Sequence, residues 1–284
     1  MPFTFAHNSW RLIKTPPAHG PWNMALDESL LEGMQVEHPL PVLRLYAWEL
    51  PCLSIGVAQP AADVNLLALQ ERSWELVRRP TGGRAILHTD ELTYSVIGPP
   101  TEPRLSGSVL ESYQHLSLAL LEALHLLSVP ALSEAEPARS NSNDPKGPIC
   151  FEVPSNYEIT VNGKKLIGSA QARRKEGVLQ HGSLPLYGDL GRIAEVLEFK
   201  ASQEQNSVSA QAAAAERLLE RATTIETCLG RLITWEEAAE AFTKGFQSAL
   251  NLELIPSEPS KLELQRAEEL VREKYAHPSW TNRI

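Results

Sequence analysis

Asn162-Gly163 stands between two strand-like runs, residues 157–161 (YEITV) and 164–174 (KKLIGSAQARR). Both positions of this dipeptide tolerate positive φ, as a type I′ turn demands, so the two runs are expected to pair antiparallel as a hairpin. Side chains alternate along a strand. Lys165, Ile167 and Ser169 are thus expected on one face, and Lys164, Leu166 and Gly168 on the other. One of the two adjacent lysines then points inward. A lysine on a partly desolvated sheet face is costly unless it has a partner, which marks it as a functional candidate. The alternation alone does not decide which face is the inner one.

Other β-branched or apolar runs broken by turn residues extend the pattern: PVLRLYAW, CLSIGV, WELVRR, RAILH, LTYSVIG and GVLQHGSLPL. They predict a mostly antiparallel sheet. Residues 22–34 carry apolar side chains at helical spacing and predict an amphipathic helix. Ser108 with Glu111 opens a predicted helix over 108–127 through a capping box. A polar loop follows, from about 129 to 149. Beyond about residue 190 the chain turns helix-favouring, with the Ala-rich 209–222 and two further capping boxes, Thr234/Glu237 and Ser260/Glu263. The fold class expected is α+β, a mostly antiparallel sheet covered by helices with a helical C-terminal region. Within it, 1–36 is expected as an N-terminal helical segment of the same domain, 37–250 as its main body, and 251–284 as a C-terminal helix packed on that body.

Composition excludes several classes. Hydrophobic residues are 43% and charged residues 21%, enough for a sizeable core. No apolar run reaches a membrane-spanning length. The first residues lack a basic stretch followed by an apolar one and a cleavage site, so a cytoplasmic location is expected. The net charge of −9 disfavours nucleic-acid binding. Cys52, Cys150 and Cys228 are odd in number and far apart, which argues against a disulfide framework, and no CxxC pair suggests a metal site.

Two further segments carry chemistry. Residues 78–88 (RRPTGGRAILH) place Gly82-Gly83 between strand-like runs, where the backbone can approach a ligand closely or adopt positive φ. Arg79 and His88 would add donors for a carbonyl, carboxylate or phosphate, unless the segment is a plain turn with solvated arginines. Cys150 sits among apolar neighbours, where a packed hydrophobe is the ordinary reading. Its position at the end of a polar loop, just before the lysine strand, makes it a candidate nucleophile, since a nearby ammonium raises the thiolate fraction. Cys52 and Cys228 lack such a setting and read as structural.

Together, in this order and spacing, RRPTGGRAILH, NGKKLIGSAQARR, WNMALDESLL and RLYAWELPCLSIGVAQ resemble the catalytic domain shared by lipoate–protein ligases, biotin–protein ligases and octanoyltransferases. The resemblance runs from about Trp10 to about Trp280. The stretch PICFEVPSNYEITVNGKKLIGSAQARRKEGVLQHGS and the run His88–Ser95 resemble the octanoyltransferases that carry a loop cysteine. That resemblance implies Cys150 as the acyl-thioester residue and Lys165 beside it, both catalytic. It implies Arg79, Gly82, Gly83, His88, Gly168 and Ser169 as substrate-binding residues. It further implies an octanoyl donor carried on the phosphopantetheine of acyl carrier protein, with no cofactor or metal of the enzyme's own. The acceptors implied are apo lipoyl-domain proteins, such as glycine cleavage H protein and the 2-oxoacid dehydrogenase E2 component, and the enzyme is expected to be a monomer.

Lys146, Lys164, Arg173, Arg174 and Lys175 form a candidate docking patch for an acidic carrier, or else an ordinary solvated surface. The rival readings are an ATP-dependent lipoate or octanoate ligase, an amidotransferase between lipoyl-domain proteins, and a silent acyl-binding protein.

Overall fold

In the computed structural model, residues 4–134, 148–149, 158–199 and 207–284 are described. At the middle of the sheet runs β10 (Val178–Pro185), buried along its whole length. It pairs antiparallel with β6 (Glu91–Gly98) on one side and β9 (Lys164–Arg173) on the other. Beyond β6 come β2 (Val42–Tyr46), β1 (Asn8–Lys14) and β11 (Leu252–Pro256); beyond β9 come β8 (Glu158–Val161) and β7 (Leu132–Glu134). The eight-stranded sheet is mixed, because β1 pairs parallel with both β2 and β11. A second sheet joins β3 (Cys52–Ile55) parallel to β4 (Glu75–Arg78) and antiparallel to β5 (Ile86–His88). The α+β class expected from the sequence holds, with the parallel pairs as an addition.

The large sheet has two faces with different cover. On one, Leu45, Tyr94, Val96, Leu184 and Trp10 pack against α3 (Val109–Leu126) and α6 (Trp235–Leu250). Both helices open with the capping boxes foreseen at Ser108/Glu111 and Thr234/Glu237. Phe242 and Phe246 of α6 are fully buried here, each stabilising the fold by about 1.5–3 kcal/mol. The helices touch closely at Gly245, where a Cβ would lie 2.6 Å from the Ala119 carbonyl oxygen.

On the opposite face, Ile13, Val42, Tyr46, Ile97 and Leu179 pack against α1 (Gly20–Glu32). The α7 helix (Lys261–Leu270) lies against the outer side of α1, with Ala267 and Leu270 buried. So α1 is buried nearly all round, including Asn23, Asp27 and Glu28, rather than amphipathic. The first 36 residues also supply a strand, β1, and the C-terminal region adds β11 to the sheet before its helix; both departures from expectation arise because β1 gains a pairing partner from each end of the chain. The small sheet packs with α2 (Leu66–Glu71) and α4 (Ser207–Arg221) through Leu53, Ile55, Leu69, Ala214 and Leu218, and the short α5 (Ile225–Leu229) follows α4. Among the described residues, no helix is long and apolar enough to cross a membrane.

Candidate functional site

The α1 face of the sheet carries the polar residues. In β2 and β6, Arg44, Thr93 and Ser95 alternate with core side chains, and in β10 His181 and Ser183 share the face of Leu179. At the centre, Arg44 is fully buried and paired with Asp27 at 2.7 Å. Asp27 also accepts from Ser95 Oγ at 2.9 Å and Tyr46 OH at 3.2 Å. Burial pushes the Asp27 carboxyl up, but the Arg44 guanidinium and His181 outweigh it and hold the group below the usual carboxylate value. Burial likewise lowers the pKa of His181, against the pull of Asp27, so the ring is held neutral. A neutral ring whose Nδ1 faces Asp27 at 3.4 Å donates there and accepts from the Thr81 hydroxyl at Nε2, 2.6 Å away.

A second relay of the same kind lies alongside. His88 Nδ1 lies 2.8 Å from a Glu91 carboxylate oxygen, and His88 Nε2 is hydrogen-bonded to Ser54 Oγ at 2.7 Å. Trp48 stacks on the His88 ring, 4.0 Å between centroids, and donates its indole N–H to Thr93 Oγ1. The two relays hold the Gly82-Gly83 loop from both sides, through Thr81 and through Ser54. Arg79 completes the brace: its guanidinium donates to the carbonyl oxygens of Gly82, Arg84 and Ser54 and to Ser54 Oγ. Arg79 was expected to offer donors to a ligand; in the structure its Nε and Nη2 bond the loop and its Nη1 bonds Ser54 of β3. The two glycines differ in role. Gly83 takes φ +87°, whereas the space where a Gly82 Cβ would stand is open.

Two adjoining cavities lie beside this loop. The inner one, with about 380 Å³ of empty space, is lined by Met24, Tyr46, Trp48, Gly168 and Ala170 as well as by His88, His181 and Arg79. The outer one, about 480 Å³, is lined by Ile149, Pro185, Leu190, Ile193 and Leu218. Ile86 and Ser183 border both and so mark their junction. Ser169 also borders the inner cavity, but its hydroxyl is 2.7 Å from Tyr94 OH, a residue of the opposite sheet face.

The hairpin forms as expected, with Asn162 at φ +52° and Gly163 at φ +73°. The face assignment built on it needs correction. Thr160 pairs with Lys165 and Ile159 with Ile167, so Leu166 is an extra residue, a β-bulge. Leu166 and Ile167 consequently both enter the core under α3 and α6. Lys165 lies opposite Thr160, which alternates with the core residues Ile159 and Val161. Paired residues share a face, so Lys165 shares the cavity face with Gly168 and Ser183, not the face of Ile167 and Ser169. It is 5% exposed, and its carbonyl accepts from Thr223 N at the end of α4. Lys164 turns the other way and donates to the Leu219 carbonyl.

Cys150 lies outside the described residues. Its predecessor, Ile149, is buried at 1% exposure and bridges to Ala85 beside the glycine loop. Pro148 O accepts from Ala85 N and from Gln59 Nε2, both at 3.1 Å. Ile149 belongs to the same apolar cluster as Ala222, the residue that bridges to Lys165. Of the other cysteines, Cys52 is fully buried and its thiol is pushed well up by burial, Glu75 and Glu91; Cys228 is half-buried with its thiol also raised by burial.

The expected docking patch does not assemble. Lys164 and Arg173 stand at opposite ends of β9, nine residues or roughly 30 Å apart. Arg173 is bound to Leu105 O and Ser112 Oγ, and Arg174 is paired with Glu28 at 2.6 Å. Lys146 lies outside the described residues.

Comparison with known proteins fixes the family. Residues 19–247 match the lipoyl protein ligase A/B catalytic domain. The chain is 40% identical over 277 residues to octanoyltransferase LipM of Carboxydothermus hydrogenoformans, covering 97% of this chain and 99% of that one. The corresponding protein of Brevibacillus brevis is 40% identical over 280 residues, covering 96% and 99%. The chain belongs to the lipoyl protein ligase A/B catalytic-domain family, in its LipM octanoyltransferase branch. In fold it is similar to a bi-partite lipoate protein ligase from Thermoplasma acidophilum, with a TM-score of 0.78 at 23% identity over 97% of both chains.

Within this LipM-type chain, sequence reasoning missed Asp27, Arg44, Thr81, Glu91, His181 and Ser183. A signal was present for two of them. His181 and Ser183 are polar residues two apart, hence on one face of a central strand where buried polar side chains need a reason.

Proposed function

We propose that this member of the octanoyltransferase branch transfers an octanoyl group from octanoyl-acyl carrier protein to a lysine of apo lipoyl-domain proteins, through a thioester on Cys150. The acceptors are of the kind represented by glycine cleavage H protein and the 2-oxoacid dehydrogenase E2 component. The observation that carries the reading is the bulge at Leu166, which puts Lys165 on the cavity face, joined through Ala222 to the cluster that holds Ile149. Ile149 lines the outer cavity, and Cys150 follows it directly in the chain, which supports the reading.

In the first step the Cys150 thiolate attacks the donor's carbonyl carbon. A new C–S bond forms, the C–S bond to phosphopantetheine breaks, and the departing thiolate takes up a proton. In the second step the neutral ε-amine of the acceptor lysine attacks. A C–N bond forms, the Cys150 C–S bond breaks, and the amine's proton passes to the sulfur. Lys165 serves both steps as the cation that favours thiolate and faces the developing oxyanion. The acyl chain occupies the inner cavity, against Met24, Tyr46, Trp48 and Ala170, behind the braced glycine loop. Both steps are thioester chemistry and require neither ATP nor a cofactor. The free thiols fit a reducing compartment, the cytoplasm.

The test is intact-mass measurement after mixing the protein with octanoyl-acyl carrier protein, with and without ATP. A single octanoyl mass on Cys150, independent of ATP and absent in Cys150→Ser, is expected. Acylation only with free octanoate and ATP would make the protein a ligase, and acylation only from an octanoylated lipoyl domain would make it an amidotransferase. Octanoate binding without covalent mass would make it a silent acyl-binding protein.

A further inference from the structure

Among the described residues, the Ser183 hydroxyl meets no partner. The residue is 1% exposed in β10, and its Oγ is closed off from solvent with no hydrogen-bonding group in reach. Its neighbours on the same face are committed elsewhere. Across the β6 pairing, Thr93 donates to Glu91 and accepts from Trp48. Two residues along β10, the ring nitrogens of His181 are taken by Thr81 and Asp27. Across the β9 pairing stands Gly168, which has no side chain to offer. Because Leu166 is an extra residue, the next β9 side chain on this face beyond Gly168 is Lys165.

Buried hydroxyls are nearly always hydrogen-bonded, and an exception at a cavity wall needs an explanation. Ser183 borders both cavities at their junction. A saturated acyl chain brings one strong acceptor, its carbonyl oxygen. On the acyl-transfer reading the chain lies in the inner cavity and its thioester is on the residue after Ile149, which lines the outer one, so that reading puts the oxygen at the junction. We infer that the Ser183 hydroxyl, unpartnered between the two cavities, is a catalytic residue that donates a hydrogen bond to the acyl carbonyl oxygen. The serine keeps its proton and forms no covalent bond. Its contact strengthens as the carbonyl becomes an oxyanion, so the stabilisation is greatest in the transition state. Lys165 supplies charge from along the strand, and Ser183 supplies a fixed, neutral donor. This inference rests on the acyl-transfer reading above.

The experiment compares wild type, Ser183→Ala and Ser183→Thr in single-turnover acylation of Cys150 by octanoyl-acyl carrier protein labelled with ¹³C at the carbonyl. Ser183→Ala is expected to slow acylation about 10²-fold, the loss typical of one oxyanion donor. Ser183→Thr, which keeps the hydroxyl, should stay within several-fold of wild type. The ¹³C carbonyl stretch of the octanoyl-enzyme should move to higher frequency in Ser183→Ala, where the hydrogen bond is gone. Thermal stability separates this from a structural role. Removing an unsatisfied hydroxyl leaves Tm unchanged or slightly higher, whereas a loss of several degrees would mean that the hydroxyl has a partner within the protein and would overturn the inference. Acylation by Ser183→Ala at the wild-type rate, with the carbonyl stretch unmoved, overturns it alone. Failure of the wild type to gain an octanoyl mass from this donor overturns the transfer reading and this inference together.

Discussion

Asp27→Asn isolates the charge at the centre of the polar face. The side chain keeps its size, so no cavity opens; what is lost is the negative charge that faces Arg44 at 2.7 Å in a site with no solvent exposure. Arg44 has other acceptors, Asn23 Oδ1 at 2.7 Å, the Asn23 carbonyl at 3.1 Å and the Tyr46 ring beneath it, but none carries a charge. Breaking a buried pair by removing one partner costs about 3–5 kcal/mol, because the other ion is left uncompensated. At about 2 °C per kcal/mol for a chain at the large end of the scale, Tm should fall by roughly 6–10 °C. Urea unfolding should show the same loss at unchanged slope. Replacing both partners, Asp27→Leu with Arg44→Met, should recover most of the stability, since a buried pair traded for apolar groups is often neutral.

The pH dependence carries the same sign. The Asp27 carboxyl is held below its ordinary value, so its contribution is complete above about pH 4 and is lost as pH falls through the folded value. His181, held neutral by burial, adds a loss in the same direction that begins higher, as the unfolded imidazole takes up a proton below about pH 6.5. Wild type should therefore lose stability on acidification from about pH 6.5 downward, and Asp27→Asn should lack the steepest part below about pH 4. A Tm for Asp27→Asn within 2 °C of wild type at neutral pH, with the acid limb intact, would refute the account of Asp27 as the counter-charge of Arg44.

Two further predictions follow from the loop and the thiols. Gly83→Ala forces an alanine to φ +87° and should cost about 1–2 kcal/mol, while Gly82→Ala, facing open space, should leave Tm unchanged yet raise KM for the acyl donor; equal effects of the two on unfolding would refute the distinction. In native protein at about pH 8, iodoacetamide should leave Cys52 unmodified, since its thiol is fully buried and pushed well up, while octanoylation should protect Cys150; peptide mapping that finds Cys52 alkylated first would contradict this.

What the sequence made legible was what short stretches decide for themselves. Asn162-Gly163 turns as expected because its φ values are a local matter, and the capping boxes at Ser108, Thr234 and Ser260 open helices because each donor and acceptor lies within four residues. The Leu166 bulge was not legible, since it exists only as a mismatch between β9 and β8, and one extra residue suffices to turn Lys165 to the other face. Strand β1 and strand β11 were missed for the same reason, each needing a partner some 240 residues away.

The site itself was half legible. The glycine loop and Lys165 stood out by composition, but the residues that set the loop in place did not, because their meaning depends on burial. Arg44, Thr93 and Ser95 alternate with apolar neighbours, which by periodicity is the pattern of a strand with one solvated face, and His181 and Ser183 stand in a strand that reads as half polar. The cover that contradicts this is α1, and α1 signals it by carrying Asn23 and Asp27 one turn apart, on one face of the helix. A polar sheet face and a helix with matching polar groups have two possible fates, solvent on both or contact with each other. Here they are in contact, and every hydroxyl and ring nitrogen named on that interface finds a partner except one. Among the described residues two buried atoms on that face have no partner, Arg44 Nε and Ser183 Oγ; of the two residues only Ser183 borders the cavities, and there the network turns toward a ligand.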